Sequence, residues 1–197
     1  MMFGPFCLAA ILYALTGGPS VGKTSIIHEL DKQGESVIHE AATDWISQRI
    51  DLGIQEFWRE DHFVFNILKL QLQREESFLH KSGRVFIDRG IFDGYAYAVQ
   101  HNLAGTKTLS LINEALEDID LEKRYAAIFF VLPYNEDFVP ISTEVRRDTA
   151  QEARDIHVGL YAIYSRHKNF ILVPGNLSPK ERAEFILEQV SKMEKAG

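Results

Sequence analysis

Eight consecutive residues, Gly17-Gly18-Pro19-Ser20-Val21-Gly22-Lys23-Thr24, combine a small, amide-rich backbone with one lysine and one hydroxyl. They fit the spacing G-x-x-x-x-G-K-[ST] at every fixed position. Glycines allow such a loop to turn successive N–H groups inward, and the helix that follows adds the partial positive charge of its N-terminus. The β-phosphate of a nucleoside triphosphate is expected in that nest. Lys23 would reach the β- and γ-phosphates, and the hydroxyl of Thr24 would be a ligand of Mg²⁺, with Ser25 completing the cofactor-binding run. No Asn-Lys-x-Asp or Thr-Lys-x-Asp stretch is present for the guanine readout of signalling GTPases.

Carboxylates and guanidinium groups at other element ends supply the remaining chemistry. Asp88 closes the apolar run Val85-Phe86-Ile87 and should emerge beside the phosphate loop, where a Mg²⁺-positioning carboxylate is needed. Arg89 follows it and should project into the same cleft. Glu40 ends another short apolar run and could take a proton from a substrate hydroxyl or orient a water. Glu144-Val145-Arg146-Arg147-Asp148 falls in a polar stretch before a helix. Arginines there can meet charge that spreads over the phosphoryl oxygens, so Arg146 is a candidate catalytic residue and Arg147 a candidate nucleotide contact. The seven histidines form no metal-ligand spacing and read as incidental. Trp45, Trp58, Phe63, Phe65, Asn66 and Gln71 are candidates for an acceptor pocket, although core packing is the more ordinary use of those aromatics.

The elements that must position these residues alternate strand with helix. Strands are predicted over Ile11–Thr16, Ser36–His39, Arg84–Asp88, Tyr125–Leu132 and Phe170–Val173. Helices are predicted over about 23–33, 41–51, 54–81, 92–101, 107–119 and 149–166, with a last one opening at Ser178-Pro179-Lys180-Glu181 as a capping box. Five parallel strands with helical crossovers make an α/β protein, a three-layer α/β/α sandwich whose ligands bind beyond the carboxyl ends of the strands. Residues 1–197 read as a single domain, with 1–9 as an N-terminal extension and 134–150 as a lid-like loop.

Composition excludes several classes. The 21 basic and 28 acidic side chains leave a net charge of −7, and without a run of Lys/Arg the chain lacks the footprint of a nucleic-acid binder. A phosphate loop removes the conflict with anion binding, because main-chain donors and one lysine suffice. The apolar stretch 3–18 is too short and too interrupted by Pro and Gly to span a bilayer. The one cysteine, Cys7, cannot form an internal disulfide and fits a cytoplasmic setting.

Taken together, Thr16–Thr24, Glu40-Ala41-Ala42, Ile87-Asp88-Arg89-Gly90-Ile91-Phe92-Asp93-Gly94-Tyr95-Ala96-Tyr97 and Val145-Arg146-Arg147-Asp148 resemble the small AAA-type P-loop ATPase family, itself similar to nucleoside and nicotinamide riboside kinases. The resemblance runs in order over about residues 11–190. It implies a P-loop NTPase fold of the nucleoside/nucleotide kinase type, with Glu40 as general base, Asp88 as Mg²⁺ organiser, Arg89 as a contact to phosphate or substrate and Arg146 as the closing-loop arginine. One departure stands out, since deoxynucleoside kinases usually follow the strand-two Glu with Pro and this chain has Ala41. The expected activity is γ-phosphoryl transfer from ATP to a small-molecule acceptor. The alternative is an ATPase that works as a nucleotide-dependent switch or regulatory protein. A small-molecule pocket beside Glu40 and Arg89 would favour the first; an exposed apolar patch on 54–81 would mark a partner surface or a homodimer.

Overall fold

The computed structural model describes residues 10–60, 62–101, 103–134 and 149–196. Five strands, β1 (Ile11–Thr16), β2 (Ser36–Ile38), β3 (Arg84–Asp88), β4 (Ala127–Val131) and β5 (Phe170–Val173), form one parallel sheet in the order β2-β3-β1-β4-β5. Alternation along β1 shows how its two faces are used. Leu12 and Ala14 join one buried cluster, and Tyr13 and Leu15 join another on the opposite face. Both faces of a central parallel strand must be covered, which is why β1 and β4 carry nearly unbroken apolar sequence.

Helices α1 (Lys23–Lys32) and α8 (Pro179–Ala196) cover the Tyr13/Leu15 face through Ile26, Ile27, Leu30, Ala183, Ile186 and Val190. The other face is covered by α3 (Phe63–Leu79), α4 (Asp93–Gln100), α5 (Lys107–Leu116) and α7 (Ala150–Tyr164). The three-layer α/β/α sandwich is the architecture expected. Helix α2 (Ala41–Asp51) forms a smaller cluster with α3, centred on Trp45, Ile46 and Phe57.

Several boundaries differ from the sequence pattern. The helix expected over 54–81 is two pieces, a 3-10 turn at Phe57–Arg59 and α3. His62 adopts a left-handed conformation (φ 61°) that reorients the chain into α3. The apolar periodicity runs through this break because Phe57 joins the cluster of Trp45 and Ile46, and Phe63 contacts both rings. The fourth strand begins at Ala127 rather than Tyr125, whose hydroxyl is instead committed to a buried polar network. Strand β2 stops at Ile38, leaving Glu40 at the N-cap position of α2. A short helix, α6 (Leu121–Arg124), had no sequence counterpart. Among the described residues no helix is long and apolar enough to cross a membrane.

Candidate active site

The loop from Gly17 to Gly22 joins the end of β1 to α1 at the sheet's carboxyl edge. Two of its glycines answer a backbone demand. Gly17 and Gly22 have φ of 136° and 97°, and a Cβ on Gly17 would lie 2.7 Å from the carbonyl oxygen of Val131. Lys23, 4% exposed, folds back over this loop. Its Nζ donates to the carbonyl oxygens of Gly17 (2.9 Å) and Gly18 (2.8 Å). Burial, with Arg89 nearby, lowers its pKa to about 7, against the pull of Asp88, Glu40 and Asp93. Ser25 lies exposed on the first turn of α1.

The pairing of β1 with β3 places Leu15 opposite Asp88, which brings that carboxylate to the base of the loop. Thr24 Oγ1 donates to Asp88 Oδ2 at 2.7 Å. The second oxygen, Oδ1, is buried and has no hydrogen-bond partner among the described residues. Burial and the negative charge of Glu40 raise the pKa of Asp88. A buried carboxylate oxygen without a donor is costly, and a hydroxyl plus a carboxylate oxygen is a donor set that suits Mg²⁺.

Arg89 turns the chain out of β3 in a left-handed conformation (φ 77°). Its Nε donates to Glu40 Oε1, and its Nη1 lies 3.4 Å from Asp93 Oδ2. Thr43 donates to the second oxygen of Glu40 at 2.7 Å. Asp93 in turn accepts from Thr16 Oγ1 (3.0 Å) and Tyr164 OH (2.8 Å). Burial raises its pKa, while Arg89 opposes the shift. Glu40, Arg89 and Asp93 are all buried, so this chain of charges is fixed in direction.

A cavity of about 630 Å³ opens on these groups, within the size range of small-molecule sites. Its polar end carries Glu40, Arg89, Asp93 and Gln71; its apolar wall includes Ile46, Phe57, Trp58, Phe63 and Tyr97; and Pro19 joins it to the phosphate loop. Of the residues considered for an acceptor pocket, Trp58, Phe63 and Gln71 line it. Trp45 belongs to the α2–α3 cluster, and Phe65 packs against the main core. Neither these two nor Asn66 faces the cavity. Arg146 and Arg147, with nearly all of the expected lid-like loop, lie outside the described residues.

A family model described as an AAA domain matches residues 12–182. The chain belongs to this family. Among solved structures, deoxyadenosine kinase from M. mycoides, with products dCMP and a flexible dCDP bound, is similar with a TM-score of 0.65 and 12% identity, over 93% of this chain and 100% of that one. NadR in complex with NAD and AMP-PNP is similar with a TM-score of 0.64 and 13% identity, over 93% of this chain but 49% of NadR. Identity that low speaks for the fold. Among curated proteins no sequence matches the chain. Family and fold agree on a P-loop NTPase architecture for this AAA-domain protein.

Sequence reasoning missed several supports of the AAA-domain site. Gln71 donates to the carbonyl of Arg89 (3.1 Å) and to Glu75 (3.0 Å), and Tyr125 OH links Glu75 (2.9 Å) to the backbone N–H of Ile91 (2.9 Å). This network holds the turn from Arg89 to Ile91 from behind. Asp93 stands four residues after Arg89, a helical pairing distance that was a usable signal. Arg182 of α8 donates to the carbonyl oxygens of Val21 (2.8 Å) and Gly175, bracing the phosphate loop. The histidines are not all incidental. His157 Nδ1 accepts from Gly18 N–H at 3.0 Å, and His167 bridges the Tyr125 carbonyl and the Asn169 N–H.

Proposed function

We propose that this protein transfers the γ-phosphoryl group of ATP to a hydroxyl or phosphate group of a small acceptor bound in the cavity between α2, α3 and α4. The observation that carries this reading is the 630 Å³ cavity, which joins Glu40 and Arg89 at one end to the phosphate loop at Pro19. Hydrolysis of ATP alone requires only a site for water, whereas this space accepts a nucleoside-sized molecule. Residues 54–81, where a partner surface would have favoured a switch, expose one large hydrophobic side chain among those described, Trp58.

Each residue then has a task. Loop N–H groups and Lys23 hold the β- and γ-phosphates, and Arg146 and Arg147 bring positive charge to the transferring group. Thr24 and Asp88 would hold Mg²⁺, which when bound neutralises phosphate charge. Glu40 accepts the proton of the acceptor hydroxyl; Arg89 and Thr43 keep its carboxylate aimed. Apolar walls exclude water from the attacking position. In this reading residues 1–197 are one catalytic domain that acts in the cytoplasm on small molecules rather than on nucleic acid.

The test is a phosphate-transfer screen from ATP across nucleosides, nucleotides and nicotinamide riboside, with ATP hydrolysis alone as baseline. A phosphorylated acceptor formed well above that baseline supports the reading. Hydrolysis unaffected by every acceptor would replace it with the ATPase-switch alternative.

A further inference from the structure

One peptide group in the phosphate loop is held at both ends. The carbonyl of Gly17 accepts from Lys23 Nζ at 2.9 Å, and the N–H of the same peptide unit, on Gly18, donates to His157 Nδ1 at 3.0 Å. The two glycines lack the Cβ atoms that would otherwise restrict rotation of that unit. Pro19 follows and has no N–H of its own. Lys23 restrains only the carbonyl end from within the loop's own sequence, and the restraint on the N–H arrives from α7, 139 residues later.

We propose that His157 is a positioning residue for nucleotide binding, an acceptor that pins the Gly17–Gly18 peptide and thereby presets the lysine that must meet the phosphates. The inference rests on the nucleotide-binding part of the reading above. An N–H donor requires a lone pair on Nδ1, so the ring is neutral with its proton on Nε2. Burial, with the charge of Lys23 beside it, lowers the His157 pKa and favours that form. The ring packs edge-on against Phe130, with centroids 4.7 Å apart. The fit against the loop is close: a Cβ on Gly18 would fall 2.9 Å from His157 Cβ and 3.1 Å from the Ala153 carbonyl oxygen. Lys23 can leave the Gly17 carbonyl for a phosphate, while His157 prevents the vacated carbonyl from rotating into the nest.

Two substitutions separate the hydrogen bond from the packing. His157→Phe keeps a ring against Phe130 and removes the acceptor; His157→Asn loses the ring but can place an oxygen near the position of Nδ1. Loss of one neutral hydrogen bond to a preset loop should raise the Kd for Mg²⁺–AMP-PNP about five- to tenfold in His157→Phe. Binding by His157→Asn should stay within about twofold of wild type, as the retained acceptor implies. Amide hydrogen exchange at Gly18 in the nucleotide-free protein gives a second readout, with protection lost in His157→Phe and kept in His157→Asn. Wild-type behaviour of the Phe variant, or equal damage from both, would overturn the proposal. If wild type itself fails to bind AMP-PNP, the nucleotide reading fails instead, and the Gly18 exchange pattern still decides whether the pin exists.

Discussion

Arg89 and Glu40 meet across the ends of two adjacent strands, the guanidinium Nε donating to the carboxylate while Asp93 takes the other side of the guanidinium. Arg89 leaves β3 and Glu40 opens α2, so the sheet register itself sets the pair. A charge pair this buried contributes little net stability, because desolvation offsets attraction. Its value is direction, since the carboxylate at the polar end of the cavity cannot turn away from an acceptor.

Glu40→Gln should keep the hydrogen bond from Arg89 and lose the basic oxygen. Loss of a positioned general base typically lowers kcat by about 10²- to 10⁴-fold. Affinity for Mg²⁺–AMP-PNP should stay within about twofold, because the hydrogen bonds that shape the phosphate loop come from Lys23, His157 and Arg182. Single-turnover phosphate transfer and calorimetric binding measure the two effects separately. A variant with wild-type kcat would remove Glu40 from the chemistry.

Lys23 gives a proton signature. Its pKa in the nucleotide-free protein is about 7, so at pH 8 the side chain is mostly neutral. A bound triphosphate favours the charged form and raises that pKa, so binding takes up a proton. The sign follows: affinity rises as pH falls from 9 toward 7, then levels once Lys23 is already charged. Calorimetry at pH 8 in Tris and in HEPES should reveal an uptake that approaches one proton and shrinks as pH falls below the free Lys23 pKa. The same experiment on Lys23→Met should show weak binding and no uptake; an equal uptake there would assign the proton elsewhere.

Asp88 is costly to the unliganded fold, because burial and the neighbouring Glu40 both raise its pKa. A carboxyl whose folded pKa is raised destabilises the protein where it is ionised, and the cost is relieved as pH falls through that pKa. Asp88→Asn should therefore raise the unliganded Tm at pH 8 by about 2–4 °C, the change that ~1 kcal/mol makes in a chain of this size. The amide oxygen can still accept from Thr24, but without the negative charge it is a weaker cation ligand than the carboxylate. Thermal denaturation with and without Mg²⁺–ATP should show a higher baseline and a smaller ligand-induced gain. A lower baseline would mean that Asp88 serves the fold.

Much of this site was legible in the sequence because its parts sit where chain elements change. Phosphate-loop spacing, an aspartate closing the apolar run Val85–Ile87 and a glutamate beyond Ile38 are local signals, and parallel pairing carries all of them to one edge. What stayed hidden depends on distant pairing. Glu75 reads as one more polar position on an amphipathic helix, yet it is fully buried and holds Gln71, Arg124 and Tyr125. His157 and Arg182 look like ordinary helix residues until α7 and α8 are packed onto the phosphate loop. The left-handed turn at His62 escaped notice because the cavity wall on both sides of it keeps the same apolar period.

Two glycines, one in the phosphate loop and one on α7, should respond to alanine with opposite signs. The phosphate-loop spacing leaves position 18 free, but a Cβ there would press on His157 Cβ at 2.9 Å and on the Ala153 carbonyl at 3.1 Å. Neither neighbour is the loose end of a side chain, so the loop or α7 must shift. Overpacking of this kind costs about 1–3 kcal/mol. Gly159 lies on α7 two residues beyond His157, and a Cβ there would meet Ala96 Cβ at an ordinary 3.7 Å. Alanine at that helical position removes the entropic penalty of glycine, worth about 0.5–1 kcal/mol. Gly18→Ala should thus lower the Tm and weaken Mg²⁺–AMP-PNP binding, whereas Gly159→Ala should raise the Tm by about 2–4 °C per kcal/mol gained and leave binding unchanged. Thermal denaturation and calorimetry on the two single variants decide the matter, and equal signs would mean that α7 does not press on the loop as described.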